Sequence, residues 1–599
     1  MAKSLLKEKK DKTTISLESL TPKKVKELSM DELGRLSDEI RKFIINSISE
    51  TGGHIGTNLG TVDLTVALHY VFNSPRDQII WDTGHQGYTH KIITGRAKIF
   101  PTLNTYGGMN RFVTRTESEH DIIEASHAGT SISIALGISL AKKVKGEKDY
   151  SIAVIGDGAI CEGLALEALN HLAVEKVNTV VVLNDNGYAI SPGFGGLHNY
   201  LQSRKTGSTD NETLFTSLGF EYIGPVDGHN IQSMVDAFKR ARKADRVPVV
   251  HVKTIKGYGL PVADRHPYKL HFSFPFDPET GASKGNFVST GYQDVAAGVI
   301  KEQMWLDENI VCVTASTLYA TGLQPVFDRY PDRCFDPGME EQHAMTLAAG
   351  FALEGFKPVI FYQSTFMQRA FDQLIHDICF MNFPTLILTV RTGFSGYDNP
   401  THHGIYDFSY LRGLPNLRIM YPKDRFELER MVRDNLKDLK GPTIISMPYG
   451  PVDVFDDDVL TEPRSSFMQA QVAQSGKDLL LITVGHKFGV AREVVAELRN
   501  SGIDAGLVNL RYLKPLPDAQ LLELMRNVKR VVTLEEGVLD GGVGSAIAAL
   551  AADHSVDCQI LRIGITCKFV EPGSNDELCR LYGLDAGGVL DKIKKRWPE

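Results

Sequence analysis

The stretch GDGAICEGLALEALNHLAVEKVNTVVVLNDNGYAIS, residues 156–191, decides the fold because it joins two buried strands through one helix. The apolar runs SIAVI and TVVVL each end in a polar turn, Gly-Asp-Gly after the first and Asn-Asp-Asn after the second. The segment between the two runs has the pattern of a single helix. This strand–helix–strand order is the unit from which parallel sheets are built.

The same alternation continues along the chain. Further strand patterns are QIIWD and VPVVHVKT, then NIVCVTAS, FKPVIFYQS, PTLILTVRTG, LRIMYPKD and GPTIISMP, then DLLLITVGH, DAGLVNLRY, RVVTLEE and DCQILRIG. The stretch FDPETGASKGNFVST, residues 276–290, has the composition of a linker. We therefore predict an α/β protein with three doubly wound, mostly parallel-sheet domains, at residues 1–285, 286–462 and 463–599.

Composition excludes several classes of protein. A chain of 599 residues exceeds one hydrophobic core, and a net charge of -8 argues against a nucleic-acid partner. No apolar run approaches the length of a membrane span, and the start MAKSLLKEKKDKTT lacks the apolar region of a secretory signal. The 7 cysteines include no CxxC pair, which favours reduced thiols in a cytoplasmic protein without a zinc site.

The two polar turns of the opening stretch predict a magnesium site. Asp157 and Asn186 follow strands that are one strand–helix unit apart, so both should lie at the same edge of a parallel sheet. Carboxylate and amide oxygens are ligands that Mg²⁺ accepts, and the surrounding glycines allow a diphosphate to approach the backbone. The alternative is that Asp157 only caps a helix and Asn186 only forms a turn; the pairing of the two motifs favours the metal.

This segment resembles the thiamin-diphosphate motif, in which GDG is followed by an Asn-rich turn after the next strand. The resemblance implies that Asp157, Asn186 and the carbonyl of Tyr188 hold Mg²⁺, which clamps the diphosphate of the cofactor. It also implies that the turn at Gly156, Gly158 and Ala159 contacts the cofactor.

Motifs along nearly the whole chain resemble the 1-deoxy-D-xylulose-5-phosphate synthase family of transketolase-like enzymes. They are TGGHIGTNLGTVDLTVALHYVF, WDTGHQGYTHKIITGR, SHAGTSISIALGISLA, EEQHAMTLAAGFAL and STFMQRAFDQLIHD. The family condenses pyruvate with D-glyceraldehyde 3-phosphate, releases CO₂, and supplies precursors of isoprenoids, thiamin and pyridoxal. The resemblance implies a diphosphate-binding, a pyrimidine-binding and a C-terminal domain, and a homodimer.

The resemblance assigns roles to a glutamate and five histidines. Glu341, in EEQH, matches the glutamate that contacts the aminopyrimidine ring; alternatively it is an acid at a helix N-terminus. The matching histidines all fall in Gly-rich or polar turns, and any one of them could be structural: His54, His85, His127, His271 and His402. We expect proton transfer from His54 and His402, and contacts with the diphosphate or thiazolium side from His85 and His127.

Three further residues match family positions near the cofactor. Lys256, in TIKGYG, would otherwise be an ordinary loop lysine, and Phe366, in STFMQR, would otherwise be a core aromatic. Ile190 is expected under the bend of the cofactor, although an apolar residue there could equally be core.

The substrates are expected to meet two arginines and an aspartate. Arg369, in MQRAFDQ, and Arg391, in VRTG, match positions that bind substrate carboxylate or phosphate. Asp398, in GYDNPTHHG, matches an acid near the hydroxyl of the acceptor aldehyde. Isolated arginines usually carry no function, but these two follow a predicted strand or start a helix at the sheet edge.

The chain departs from the family mostly in the acceptor pocket. The family sequence RYPRG is SMPYG here, so that Tyr449 replaces an arginine, and Gln363 replaces a tyrosine. Ala128 and Gly129 replace two serines, and the stretch after Asn-Asp-Asn, residues 191–220, is shorter than the family norm. An arginine–phosphate contact is strong, so its loss predicts weaker binding of a phosphorylated acceptor.

Four interpretations therefore stay open. The first is a 1-deoxy-D-xylulose-5-phosphate synthase that uses glyceraldehyde 3-phosphate. The second is a paralogue that uses pyruvate with a longer or unphosphorylated aldehyde. The third is a ketol transfer of the transketolase type, or the decarboxylating component of an oxo-acid dehydrogenase. The fourth is a non-catalytic scaffold paralogue, which predicts decay of Asp157, Asn186 and Glu341, all of which are present.

Overall fold

A computed structural model describes residues 15–207, 212–285, 290–455, 462–463 and 467–598. The lysine-rich start and residues 286–289 of the predicted linker lie outside this range. The chain forms two compact units. The first comprises Met1–Asn104, Gly108–Tyr188 and His198–Gly285, and the second comprises Thr105–Gly107, Ala189–Leu197 and Asn286–Glu599.

The first unit is built on a parallel five-stranded sheet in the order β1-β2-β3-β5-β4. Its strands are β1 (Gln78–Trp81), β2 (Ser151–Gly156), β3 (Thr179–Asp185), β4 (Glu221–Asp227) and β5 (Pro248–Lys253). Every residue of β3 is buried, as its unbroken apolar run predicts. The edge strand β4 was not predicted, because its residues are only partly buried and its apolar run is broken by glycine and proline.

Helices pack on this sheet and on one another through buried apolar stripes. The helix Met30–Thr51 begins with a capping box, in which Ser29 and Glu32 bind each other's backbone N–H. Its buried stripe includes Leu33, Leu36, Ile40, Ile44 and Ile48. The other helical segments up to residue 265 are Leu17–Ser19, Pro22–Lys26, Ile55–Gly60, Val62–Val71, Tyr88–Lys91, Ile92–Arg96, Ala97–Thr102, Ser131–Lys145, Ala159–Cys161, Gly163–Leu172, Gly196–Ser203, Leu214–Leu218, Ile231–Ala241 and Pro261–Arg265.

The second unit contains a seven-stranded sheet in the order β15-β10-β11-β9-β8-β6-β7. Its strands are β6 (Ile310–Thr314), β7 (Cys334–Phe335), β8 (Lys357–Gln363), β9 (Leu386–Thr392), β10 (Arg418–Met420), β11 (Thr443–Pro448) and the antiparallel β15 (Tyr512–Lys514). The helical segments of this part are Tyr292–Leu306, Gln324–Phe327, Pro331–Arg333, Glu341–Leu353, Ser364–Met367, Gln368–Ala370, Phe371–Gln373, Leu374–Phe380, Pro400–His402, Asp407–Leu411 and Arg425–Lys437.

A third sheet, also in the second unit, has the order β12-β14-β13-β16-β17. Its strands are the antiparallel β12 (Gln471–Gln474), β13 (Leu479–Thr483), β14 (Ala505–Asn509), β16 (Arg530–Val538) and β17 (Gln559–Ile565). The helical segments here are Gly485–Lys487, Phe488–Asn500, Asp518–Arg526, Val543–Asp553, Asn575–Tyr582 and Ala586–Arg596. An α/β fold with mostly parallel sheets is thus confirmed, while the three domain boundaries stay predictions.

Strand register sets which polar residues lie side by side. Gly156 pairs with Asn184, so the turns after β2 and β3 leave the first sheet together. In the second sheet Gln363 pairs with Val390, and Pro448 pairs with Thr392. The ends of β8, β9 and β11 therefore share one edge. Among the described residues no helix combines the length and the apolar character that a membrane crossing requires.

Candidate active site

A buried carboxylate at the end of β2 in the first unit has one oxygen without a hydrogen-bond partner. Asp157 is only 2% exposed; its Oδ1 accepts a hydrogen bond from the Asn186 N–H at 3.3 Å, and its Oδ2 has no hydrogen-bond partner. Burial, and then the nearby charge of Asp185, raise the pKa of Asp157 to about 7. A buried anionic oxygen without a partner is costly, and a bound cation would remove that cost.

The Asn-Asp-Asn turn after β3 is held by the residue between its two asparagines. The Asp185 carboxylate lies 2.7 Å from His251 Nε2 and 2.6 Å from Lys253 Nζ. Burial alone would raise the pKa of Asp185, but hydrogen bonds from His251 and Lys253 lower it to about 2. Sequence reasoning missed this anchor, because His251 and Lys253 belong to β5, far along the chain.

The residues predicted to hold Mg²⁺ surround this turn. Asn186 Oδ1 accepts a hydrogen bond from the Tyr188 N–H at 3.0 Å, which closes the turn. No group of three His, Cys, Asp or Glu side chains suited to a metal occurs among the residues described. The predicted Mg²⁺ ligands are one carboxylate, one amide oxygen and one backbone carbonyl. This set contains only one side chain of the four types His, Cys, Asp and Glu, so it is not one of these groups of three. The unsatisfied Oδ2 of Asp157 fits such a set.

A buried lysine lies near the same corner. Lys256 is 2% exposed, and its Nζ lies 5.4 Å from the centroid of the Tyr188 ring. Burial lowers the pKa of Lys256 to about 7, although the charge of Asp157 opposes the change. A buried cation of this kind suits a diphosphate ligand, which would restore its charge. The predicted cofactor contact at Lys256 is compatible with this position.

Three of the predicted histidines form one cluster in the first unit. The His54 ring lies 5.5 Å from both the His85 and the His271 rings, and the last two rings are 5.2 Å apart. Burial and the Lys256 charge lower the pKa of His85 to about 3, and also hold the pKa of His271 well below its usual value. Both imidazoles are therefore neutral near pH 7, and each has one N–H that can donate a hydrogen bond and one ring nitrogen that can accept one.

One amide, which sequence reasoning missed, fixes the two turns that carry these histidines. Asn58 Nδ2 donates to the carbonyl of His54 at 2.6 Å and to that of His85 at 2.7 Å. Its Oδ1 accepts the Tyr88 N–H at 2.8 Å. The motif GGHIGTN contained this residue, but only the fold shows that its side chain spans two separate turns.

The predicted residue His127 lies in a turn that is held by Asp82. The Asp82 carboxylate accepts the N–H of Gly129 at 2.9 Å and that of Ser131 at 3.0 Å. Gly129 has a φ of +80°, and a Cβ there would lie 2.8 Å from the Cβ of Glu162. A serine at position 129 would therefore require a shift of the backbone, which gives the departure from the family pattern a local reason.

In the second unit, Glu341 begins the helix Glu341–Leu353 and is 6% exposed. Its Oε2 has no hydrogen-bond partner, and Arg369 Nη1 lies 4.0 Å from it. Burial raises the pKa of Glu341, and the charge of Arg369 only partly opposes the rise. Tyr362 Oη donates to the backbone carbonyl of Glu341 at 2.8 Å, which fixes the start of the helix. The raised pKa favours the protonated carboxyl group over the carboxylate.

Two more predicted residues of the second unit are in contact. The rings of Phe366 and His402 lie 5.6 Å apart in an edge-on arrangement. Thr365 Oγ1 donates to the Thr401 carbonyl at 2.5 Å, so the segments carrying the two rings are tied together. Ile190 is half-buried.

The predicted acceptor pocket contains an arginine that is already paired. Arg391, in a left-handed conformation with φ +66°, donates a short hydrogen bond from Nη1 to Asp398 Oδ2. Its guanidinium lies 4.8 Å from the centroid of the Tyr449 ring. Burial alone would lower the pKa of Arg391, but the charge of Asp398 raises it above its usual value. The two residues predicted to bind substrate therefore form an ion pair beside an aromatic ring.

Two neighbours of this pair complete the edge of the second sheet. Gln363, 5% exposed, ends β8, and its Oε1 has no hydrogen-bond partner. Asp407, which sequence reasoning missed, accepts hydrogen bonds from Ser364 Oγ at 2.6 Å and from Thr392 Oγ1 at 3.2 Å. Burial raises the pKa of Asp407 to about 7. Asp407 thereby joins the ends of β8 and β9.

Comparison with known proteins supports one family throughout. The family model described as 1-deoxy-D-xylulose-5-phosphate synthase matches residues 17–212 and 204–254. The family model of the transketolase pyrimidine binding domain matches residues 289–452, and that of the transketolase C-terminal domain matches residues 468–589. The 1-deoxy-D-xylulose-5-phosphate synthase of Caldanaerobacter subterraneus subsp. tengcongensis is 41% identical over 97% of this chain and 98% of its own length. The chain belongs to the 1-deoxy-D-xylulose-5-phosphate synthase family.

A second relative agrees with this membership. The protein named 1-deoxy-D-xylulose-5-phosphate synthase 2 of Geobacter sulfurreducens is 40% identical over 96% of this chain and 98% of its own length. One solved structure, a split gene transketolase described as an inactive beta4 tetramer, aligns with a TM-score of 0.47 and 26% identity over 51% of this chain and 97% of that chain. The resemblance predicted from sequence is confirmed, while the roles of individual residues in this member of the synthase family stay predictions.

Proposed function

We propose that this chain is a transferase that uses thiamin diphosphate and Mg²⁺ to decarboxylate pyruvate and to transfer the two-carbon unit to an aldehyde, D-glyceraldehyde 3-phosphate, giving 1-deoxy-D-xylulose 5-phosphate. One observation carries the cofactor part of this proposal. The buried Asp157 carboxylate keeps one oxygen without a hydrogen-bond partner, beside the Asn186 turn. Family membership supports the reaction class.

Thiamin diphosphate, when bound, supplies the carbon nucleophile and the electron sink that pyruvate decarboxylation needs. Asp157, Asn186 and the Tyr188 carbonyl would hold its Mg²⁺, and Lys256 would neutralise diphosphate charge. Because burial raises the pKa of Glu341, this side chain can donate or take a proton at Oε2 without leaving its apolar site.

The histidines and arginines of the chain would serve the substrates. His85 and His271 stay neutral, so they can hydrogen-bond carbonyl or hydroxyl groups without adding charge. His54 and His402 are the proposed proton carriers. Arg369 would bind the pyruvate carboxylate, while its 4.0 Å separation from Glu341 leaves room for a ligand group near both.

The test is CO₂ release from pyruvate with thiamin diphosphate and Mg²⁺, with and without glyceraldehyde 3-phosphate. Strong acceleration by the aldehyde, together with a deoxy-pentulose phosphate as product, would support the proposal. No release under either condition would contradict it. Release that the aldehyde leaves unchanged would keep the cofactor part and remove this acceptor.

A second candidate acceptor, an unphosphorylated aldehyde, is favoured by the ion pair at Arg391. The guanidinium is neutralised by Asp398 and covered by Tyr449, so a phosphate would have to displace or approach a carboxylate. The unpartnered Gln363 Oε1 is an acceptor that suits a hydroxyl donor rather than a phosphate oxygen. Comparing D-glyceraldehyde with its 3-phosphate in the same assay separates the two candidates by the ratio of their kcat/KM values.

We also propose that the protein is a cytoplasmic homodimer. The resemblance to the family and the absence of CxxC pairs among the 7 cysteines support these two points. Sedimentation equilibrium of the purified chain, with and without cofactor, would measure the assembly state directly. A monomer of full activity would contradict the dimer.

A further inference from the structure

One loop of the second unit carries two of the proposed substrate residues. We call residues 393–406 the Asp398 loop; it begins two residues after Arg391 and contains Asp398 and His402. Its ends are held together, since the Gly393 N–H donates to the Gly404 carbonyl at 3.0 Å. The loop body therefore depends on other parts of the chain for its shape.

A carboxylate from the third sheet binds the start of this loop. Glu536, in β16, is 3% exposed, and its Oε1 accepts the Phe394 N–H at 2.8 Å. Gly393 has a φ of +89°, and a Cβ there would collide with Glu536 Oε1. The close approach shows that the turn is packed directly on this carboxylate.

A lysine and a histidine hold Glu536 in place. Its Oε2 lies 2.5 Å from Lys487 Nζ and 3.1 Å from His486 Nε2. Burial alone would raise the pKa of Glu536, but Lys487 and His486 hold it well below its usual range. An ionised, fully held carboxylate is a strong acceptor for a backbone N–H.

The body of the loop is bound by residues 568–577. Tyr397 Oη donates to Glu577 Oε2 at 2.5 Å, and the Gly573 N–H donates to the Gly396 carbonyl at 3.3 Å. Tyr406 Oη donates to the Lys568 carbonyl at 3.0 Å. These contacts span most of the loop, on both sides of Asp398.

His403, next to His402, connects the loop with residues 568–577, and its hydrogen bonds fix which ring nitrogen carries the proton. His403 Nδ1 accepts the Ser395 N–H at 2.9 Å, so Nε2 carries the proton and faces the Glu571 carbonyl at 3.2 Å. Burial lowers the pKa of His403, which keeps it neutral. The neutral His403 ring thus connects Ser395, near the start of the loop, with Glu571 in residues 568–577.

We propose that Glu536 is a positioning residue, which together with residues 568–577 holds the Asp398 loop in the conformation that presents Asp398 and His402 to the acceptor aldehyde. Glu536 and residues 568–577 therefore act on acceptor binding through the shape of the loop. This inference rests on the proposed function for the identity of the substrates, but not for the shape of the loop.

The test compares Glu536→Gln with Glu535→Gln. Glu535 is the adjacent buried carboxylate of β16, and it accepts the N–H groups of Val543 and Gly544 instead. Hydrogen–deuterium exchange of the cofactor-free chain reports on peptides covering residues 393–406 whether or not the protein turns over. We expect faster exchange there in Glu536→Gln, by about tenfold for the Phe394 amide, and wild-type exchange in Glu535→Gln.

Kinetics then test positioning against a general structural defect. Glu536→Gln should raise KM for the acceptor aldehyde by about tenfold and change KM for pyruvate by less than about twofold. Equal changes in both constants, or wild-type exchange in the loop, would overturn the inference. If neither the wild type nor the variants catalyse the reaction, the proposed function is wrong. The hydrogen–deuterium exchange result then tests by itself whether Glu536 holds the loop.

A milder pair of variants covers the case in which Glu536→Gln does not fold. Tyr397→Phe removes the hydroxyl that donates to Glu577, whereas Tyr330→Phe removes a bond to the Lys301 carbonyl at 3.3 Å that involves neither the loop nor residues 568–577. We expect faster exchange in the loop and a higher acceptor KM in the first variant alone. Identical behaviour of the two variants would contradict the assignment.

Discussion

The carboxyl edges of the first and second sheets differ in how their charges are satisfied. At the first edge, one oxygen of the buried Asp157 carboxylate has no hydrogen-bond partner. At the second edge, Arg391 is already paired with Asp398 and covered by Tyr449. A buried charge without a partner requires a ligand of opposite charge, whereas a paired charge does not. We therefore expect the first edge to favour a bound cation and the second edge to favour a ligand of lower charge.

Glu341 gives the strongest test of this comparison. Like Asp157, this acid of the second unit is buried and has one carboxylate oxygen without a hydrogen-bond partner. We expect Glu341→Ala to lower the rate of CO₂ release from pyruvate by about 10³-fold or more, because the variant loses the carboxyl group proposed to transfer a proton. Single-turnover CO₂ release measures this loss.

Glu340→Ala is the matched control, since Glu340 precedes Glu341 and is only half-buried. It should retain most of the rate, and both variants should keep the response of the melting temperature to Mg²⁺ and thiamin diphosphate. Retained turnover in Glu341→Ala would remove this residue from proton transfer.

The buried acid beneath the second edge should appear in the pH dependence of stability. Burial raises the pKa of Asp407 from 3.8 to about 7, so the folded chain binds this proton more tightly than the unfolded chain. The stability it contributes is complete below pH 3.8 and is lost as the pH rises to about 7. At 1.36 kcal/mol per pKa unit, the loss amounts to at most about 4 kcal/mol.

Asp407→Asn should abolish this part of the decline, because an amide does not titrate. The measurement is the urea midpoint of wild type and variant at several pH values between about 4 and 8. We expect the urea midpoint of the variant to rise steadily relative to that of the wild type as the pH increases across that range. Parallel curves would show that Asp407 does not titrate there. Thr389→Val, at a nearby buried hydroxyl of β9, serves as a non-titrating control.

Asp157 tests the first edge directly. Asp157→Asn should remove the stabilisation by Mg²⁺ and thiamin diphosphate, which is about 2.7 kcal/mol at 100 times the dissociation constant. Without ligands the variant should be at least as stable as the wild type, because the unsatisfied buried charge is gone. Differential scanning calorimetry with and without both ligands measures the two effects.

Glu167→Gln is the control for this variant, because Glu167 is an exposed carboxylate in the helix that follows the turn. It should respond to the ligands as the wild type does. An undiminished ligand response in Asp157→Asn would exclude Asp157 as a metal ligand.

The smallest expected effect concerns the second edge. Replacing Tyr449 by Arg and Gln363 by Tyr restores the residues typical of the family, and should lower KM for glyceraldehyde 3-phosphate by about tenfold, or about 1.4 kcal/mol. KM for unphosphorylated D-glyceraldehyde should not fall. Tyr449→Phe with Gln363 unchanged is the control. An unchanged KM for the phosphate ester would mean that another cation binds it.

The sequence by itself determined the strand–helix alternation, the α/β class and the two polar turns at the carboxyl ends of β2 and β3. These features are local: an apolar run, its period and the residues that end it are all adjacent along the chain. The strands that it missed, β4, β7, β12 and β15, are short or lie at sheet edges, where partial burial weakens the apolar pattern.

Tertiary structure alone decided how the charges are paired. Asp185 is held by His251 and Lys253 from β5, and Asn58 joins the turns of His54 and His85. The Asp398 loop is bound by Glu536, more than a hundred residues later. Burial and charge partners depend on which strands become neighbours, and a single sequence does not contain that information. For this reason the residue types of the site could be predicted, whereas their protonation and their supports could not.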